Sequence, residues 1–209
     1  RARNVVLDLI VDGVVRRPWP GLELEPADPN RFGRSREVRV ADVAPGSPAD
    51  EAGLEPGTML RSVNGRPIRT PLDWEAAMLE VRVAEVVSVR VGEEGQRTVL
   101  LEPTDLPSLV AERVNALEEL ELVTLTPAIR AERGLSSEQG ALIVDLSESV
   151  QRTLRLQEGD LIVGINRVAV RSAEEAAEYL RRLQQAEGRV AVRLLVERSG
   201  REFYTAFYL

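Results

Sequence analysis

Near the start of the chain, the stretch whose residue types point most directly to a ligand is Arg16–Leu24, RRPWPGLEL. Gly21 sits between apolar residues, after two arginines and ahead of an alternating run. A loop of that shape can turn backbone N–H groups toward an anion such as a peptide's terminal carboxylate. Pro18 and Pro20 work against this, because proline has no N–H to offer. The rest of the inventory narrows the chemistry further. The chain has no Cys and no His, and its 27 basic residues are all Arg. That removes thiol nucleophiles and thiolate metal sites, Ser-His-Asp triads and imidazole ligands, and lysine-based dyads, Schiff bases and phosphate loops. Most acid/base and nucleophile-activating chemistry uses those missing residues. No catalytic residue, metal ligand or cofactor is assigned, and the chain is read as non-catalytic. A net charge of −7 argues against general nucleic-acid binding, and no apolar run approaches the ~18 residues of a membrane span.

The elements that must position this stretch emerge from an internal repeat. LRSVNGRPIRTPLDWEAAM from Leu60 matches IVGINRVAVRSAEEAAEYL from Ile162, with Asn64 and Asn166 lying 102 positions apart. SPADEAGLEPGT (Ser47–Thr58) aligns with SVQRTLRLQEGD (Ser149–Asp160) at the same offset. Two units of about 90–100 residues are of ordinary domain size. In each, a β-rich run (38–43; 141–146) precedes a small-residue segment. A strand (59–63; 161–165) and a tight turn follow, the turn being Asn64-Gly65 in the first unit. Thr70 and Ser172 then stand as N-caps before amphipathic helices over 71–80 and 173–182. A hairpin closes each unit. The pattern predicts a mainly β fold with short helices, built as two small, partly open β-barrels in tandem. A short helix ending at Gly13 is expected ahead of them. Between them, Pro103 and Pro107 break structure before a connecting helix from about Ser108.

VADVAPGSPADEAGLEPGTMLRSVNGRPI in the first unit strongly resembles the core of bacterial PDZ domains. GALIVDL and LQEGDLIVGINRVAVRSAEEAAEYL do so in the second. VVLDLIVDGVVRRPWPGLEL resembles the junction between the protease domain and first PDZ domain of HtrA/Deg serine proteases. The resemblance implies a linker helix over 1–16 from a protease domain outside this chain. It further implies a first PDZ domain over 17–104, a linker helix over 105–116 and a second PDZ domain over 117–209. A peptide would add as an extra strand between a receiving strand and the second helix of a unit. In the first unit the family's carboxylate-binding loop falls on Trp19, Pro20, Gly21 and Leu22, and the receiving strand runs through Leu24. The groove-facing helix positions fall on Pro71, Glu75 and Met78. In the second unit the loop falls within Leu117–Leu122, with Leu120 and Leu122 on the strand and Ala173, Ala177 and Leu180 on the helix.

Departures from the family pattern grade the two units. Pro20 removes one N–H donor from the first loop, and Arg16 and Arg17 are near enough in sequence to compensate. Glu119 stands where the second loop needs its Gly, among Glu118 and Glu121, so weak or no capture of C-termini is expected there. Thr58 replaces the family's Asp, whereas Asp160 keeps it. Trp74 is read as core, Trp19 as either a wall of the loop or packing against the leading helix, and 201–209 as a final strand or an oligomer contact. The function expected is a peptide-binding, regulatory module of a serine protease in the periplasm or cell envelope, acting mainly through the first unit. Its partners would be peptides or unfolded segments, the protease domain of the same parent chain, and further copies in a homo-oligomer. The alternative is a structural or assembly module whose grooves bind no free peptide.

Overall fold

The sequence repeat is a repeat of β-ladders. The computed structural model describes residues 16–32, 35–117, 119–186 and 188–209, and the helix expected over Asn4–Gly13 lies outside them. The chain divides into two units between Pro107 and Ser108. The first has strands β1 (Leu22–Pro26), β2 (Val38–Val43), β3 (Met59–Val63), β4 (Arg66–Pro67), β5 (Val87–Val91) and β6 (Arg97–Leu101), with helices α1 (Pro48–Glu51) and α2 (Pro71–Met78). All pairings are antiparallel, in the order β1-β2-β3-β5-β6, with β4 on β3.

The second unit opens with a one-turn helix, α3 (Pro107–Val110), at the boundary. It continues with β7 (Arg113–Ala116), β8 (Leu120–Thr124), α4 (Pro127–Arg133), β9 (Ala141–Leu146), α5 (Glu148–Leu154), β10 (Leu161–Ile165), β11 (Val168–Ala169), α6 (Ala173–Gln184), β12 (Ala191–Arg198) and β13 (Arg201–Tyr208). Its sheet runs β13-β12-β10-β9-β8-β7, with β11 on β10. The connecting helix read from about Ser108 is this single turn, and residues 113–116 are a strand of the second sheet. The fold is mainly β with short helices, and neither sheet closes on itself.

Register shows which elements correspond. Leu22 pairs Val43 and Leu24 pairs Val40, with a break in register after Glu23. Leu120 pairs Leu146 and Leu122 pairs Ile143, with the same break after Glu121. β8 is therefore the counterpart of β1, and α6 of α2. The matched asparagines do the same work in both units. Both adopt positive φ, and each side-chain oxygen accepts a backbone N–H across the turn, from Ser88 to Asn64 and from Arg193 to Asn166, both at 2.8 Å. The helices begin where the caps predict. Thr70 and Asp73 form a reciprocal capping box at α2, with Pro71 in its first turn, and the Ser172 hydroxyl accepts from Glu175 N–H at α6. Each unit buries its own core, around Val38, Leu60, Val87 and Leu101 in one and Leu122, Ile143, Ile162 and Leu180 in the other.

Candidate functional site: a strand edge beside a helix

In the first unit β1 lies at the edge of the sheet, with β2 as its ladder partner among the described residues. Such an edge leaves a row of backbone N–H and C=O groups unpaired, ready to template another strand. Helix α2 packs beside it. Leu22 and Leu24 are half-buried against the cluster that holds Trp74, Ala77 and Met78. Met78 and Trp74 are only 6% and 2% exposed, so they form the floor of this space and do not project from it. Glu75 is exposed on the helix and Pro71 half-buried at its start.

The loop leading into β1 is held rigidly. The Gly21 carbonyl accepts from Ala44 N–H at 2.9 Å and from the Ser47 hydroxyl at 3.1 Å, and the Pro20 carbonyl accepts from Ala49 N–H at 3.0 Å. Gly21 has φ +75°, and a Cβ there would lie 2.1 Å from Ser47 Cβ. Glycine is required on both counts. The supply of donors for a carboxylate is thin. Trp19 N–H is already given to the Thr104 carbonyl at 2.7 Å, Pro20 has none, and Gly21 supplies the loop's remaining N–H between 19 and 21. Arg16, a candidate to compensate, pairs with Asp105 at 3.7 Å. Trp19 is half-buried and bridges to Thr104, its indole lying 3.2 Å from the position of a Gly21 Cβ.

The corresponding residues of the second unit are enclosed. Leu120, Leu122, Ala177 and Leu180 are at most 2% exposed. They share one core cluster with Ala116 of β7, while Val114 packs against it. Glu119 occupies the place of Gly21. Its carbonyl accepts from Ser147 N–H at 3.1 Å, and its carboxylate takes the hydroxyls of Ser147 at 2.6 Å and Ser149 at 2.5 Å. Those two hydroxyls, Ser147 foremost, hold the Glu119 carboxyl below the ordinary glutamate range. Among the described residues no cluster of acidic side chains could hold a metal ion, and no helix is long and apolar enough to cross a membrane.

Residues 39–91 match the PDZ domain family model. The chain is 28% identical over 200 residues to "Probable periplasmic serine endoprotease DegP-like" of Rhizobium meliloti (strain 1021), an alignment covering 86% of this chain and 38% of that protein. It is 26% identical over 225 residues to the protein of the same name in Ectopseudomonas mendocina (strain ymp), covering 100% of this chain and 46% of that one. The PDZ match thus lies in the first unit, the second repeats its ladders, and the chain as a whole is similar to DegP-like serine endoproteases. It spans less than half the length of these curated relatives. Among solved structures, a serine endoprotease from Yersinia pestis aligns at TM-score 0.39 and 27% identity over 50% of this chain and 35% of that one.

The two units differ at the turn that holds Thr58 in one and Asp160 in the other. Asp160 is fully buried and accepts two bonds from Arg198, at 2.6 and 2.7 Å, with a third from Gln157 N–H at 2.9 Å. Leu60 pairs Val91 where Ile162 pairs Val196, but the first hairpin turns directly after Val91, at Gly92 with φ +97°, while β12 runs on to Arg198. Arg97 on the returning strand β6 gives its guanidinium to the Gly53 carbonyl at 2.7 Å, as Arg198 does to the Arg155 carbonyl at 3.0 Å. Nothing in the structure explains Thr58 in place of Asp.

Proposed function

We propose that the first PDZ unit takes up extended peptide segments by β-augmentation along β1, with α2 as the opposite wall. The observation that supports this most strongly is a strand that has one ladder partner among the described residues, entered through a rigid Gly21 loop and floored by Leu22, Leu24 and Met78. Main-chain pairing supplies the affinity in this mode, and alternate side chains supply the selectivity. Pro20 and the bond from Trp19 to Thr104 leave too few donors to make a terminal carboxylate essential, so internal segments bind about as well as C-termini. Exposed Glu75 selects basic or polar residues over acidic ones. Within the parent protein, proposed to be a periplasmic serine endopeptidase after its named relatives, this module presents substrate or regulatory segments to the protease domain. The first proposed domain keeps its limits near 17–104, and the second, read from the sequence as 117–209, starts earlier, near Ser108, because β7 belongs to its sheet. For the second unit the structural reading is favoured, because β7 already lies beside β8.

Peptide display against the full chain, followed by titration of the selected peptides with free and amidated C-termini, tests the proposal. Wild-type protein is expected to bind both forms within a few-fold of each other. Pro20→Leu is expected to favour the free form by about tenfold, one charge-assisted hydrogen bond being worth about 1.5–3 kcal/mol. Failure of both proteins to bind any peptide overturns the reading.

A further inference from the structure

From the ladder pattern we infer that Arg113–Ala116 occupies the peptide groove of the second unit as a tethered pseudo-ligand, leaving no open groove there. β8 corresponds to β1 by register, yet among the described residues β1 has one neighbour and β8 has two. The additional neighbour, β7, runs antiparallel to β8, with Val114 opposite Leu122 and Ala116 opposite Leu120. Helix α6 packs against β7 as well as β8. β7 thus lies between receiving strand and helix, where an augmenting peptide would lie.

The side chains of β7 behave as those of a bound strand. Ala116 is 2% exposed and Val114 half-buried, while Arg113 and Asn115 point to solvent. This is the period-two alternation of a strand with one buried face. Ala116 sits next to the loop, where a ligand's last residue would sit. The chain then turns through Leu117, at φ +56°, into Glu119 and β8. A covalent turn takes the place of a captured carboxylate, which accounts for Glu119 in place of glycine.

The end of the groove away from the loop is tied twice. Upstream of β7, Ser108 is 1% exposed. It gives its N–H and hydroxyl to Glu132, at 2.7 and 2.6 Å, and accepts from Arg133 at 2.8 Å. At the same end, beyond the pairing of Arg113 with Val123, the Thr124 hydroxyl accepts from Ala173 N–H at 2.9 Å and donates to Glu174 at 3.0 Å, lacing α6 to β8. An incoming peptide would have to displace a strand that is already paired, and would gain no new ladder by doing so.

The inference rests on reading the β1–α2 space as a peptide groove, but its test lies within the second unit and does not depend on peptide binding by the first. Hydrogen–deuterium exchange on the full chain is the measurement. The probe is a synthetic peptide of residues 108–116, Ser-Leu-Val-Ala-Glu-Arg-Val-Asn-Ala. In the wild type the ladder amides of 113–116 are expected to exchange at least about 100-fold more slowly than in the free peptide, and adding peptide is expected to leave 120–124 unchanged. In Val114→Gly/Ala116→Gly, residues 120–124 should lose at least about tenfold in protection and regain it when the peptide is added. Exchange of wild-type 113–116 at free-peptide rates while β9 and β10 stay protected overturns the inference, as does peptide-induced protection of 120–124 in the wild type. The wild-type measurement decides even if the double variant loses protection throughout β9–β12, and Ala116→Gly alone then serves as the milder variant.

Discussion

At the scale of single residues, Gly21 and Pro20 must be separated before either is tested. Any Cβ at position 21 meets Ser47 at 2.1 Å in a backbone conformation at φ +75°. Gly21→Ala should therefore destabilise the first unit by about 1–3 kcal/mol and shift its urea midpoint, with loss of peptide affinity as a consequence. Loss of binding in a Gly21 variant says nothing by itself about donors. Pro20→Leu changes a donor without that clash, which makes it the informative substitution. Glu197 carries a second residue-scale prediction. It is 1% exposed and accepts N–H bonds from Ser136 at 2.7 Å and Ser137 at 2.9 Å, fastening the loop after α4. Burial pushes its carboxyl upward, but the Ser137 hydroxyl and the two amides outweigh this and hold it below its ordinary range. Because the folded value is depressed, the stability it contributes is complete above the ordinary glutamate range and is lost as pH falls through that range toward the folded value. Glu197→Gln should cost about 1–3 kcal/mol near neutral pH. The gap between variant and wild type should narrow as pH falls through the ordinary glutamate range and below it, in urea melts of the second unit.

At the scale of elements, the two repeats act as controls for one another. Asn64-Gly65 and Asn166-Arg167 make the same tight turn, with both central residues at positive φ in each. The turn geometry suits Asn-Gly, and Arg167 at φ +68° carries a Cβ where the first unit has none. Arg167→Gly should raise the thermal midpoint of the second unit, with a net gain of about 0.5 kcal/mol after the entropy of an added glycine is subtracted. An unchanged or lower midpoint would show that Arg167 is held by contacts worth more than the strain. This turn was legible in the sequence, as were both N-caps, because each depends on two or three adjacent residues with strong local preferences. The core stretches were legible because the repeat presented them twice. β7 was not. Arg-Val-Asn-Ala is four residues long and follows two prolines, and nothing local in it signals a strand. It is a strand because β8 and α6 leave a slot for it. Helix α4 was also missed, although Thr126 caps it by accepting from Ile129 N–H and Gly134 ends it at φ +61°. Those signals lie in the β8–β9 connection, whose counterpart between β1 and β2 is shorter and different in sequence, so the repeat offered no template for it. The candidate strand and helix positions of the groove were readable by family pattern. Which of them face a ligand and which form a floor depends on burial, which spacing alone does not specify.

At the scale of the whole molecule, duplication of the fold has not duplicated the groove. Each unit builds its core from matched ladders, but among the described residues one sheet ends at β1 and the other is capped by β7. The capping strand moves the sheet edge from β8 to β7, a four-residue strand packed beside α6, and a short, covered edge is less open to pairing with other chains. It follows that a peptide selected for the first unit should saturate the full chain at one peptide per chain. Isothermal titration measures this directly. The expected stoichiometry is unchanged in Pro20→Leu, where affinity moves and the number of grooves does not. Leu24→Asp places a carboxylate against the Trp74–Met78 floor and should abolish the heat of binding entirely. Residual binding in that variant, or two peptides per wild-type chain, would mean that the second groove opens under binding conditions and that β7 exchanges with ligand. Saturation at one, combined with slow exchange of 113–116, would place all peptide selection in the first unit and leave the second as a closed structural partner.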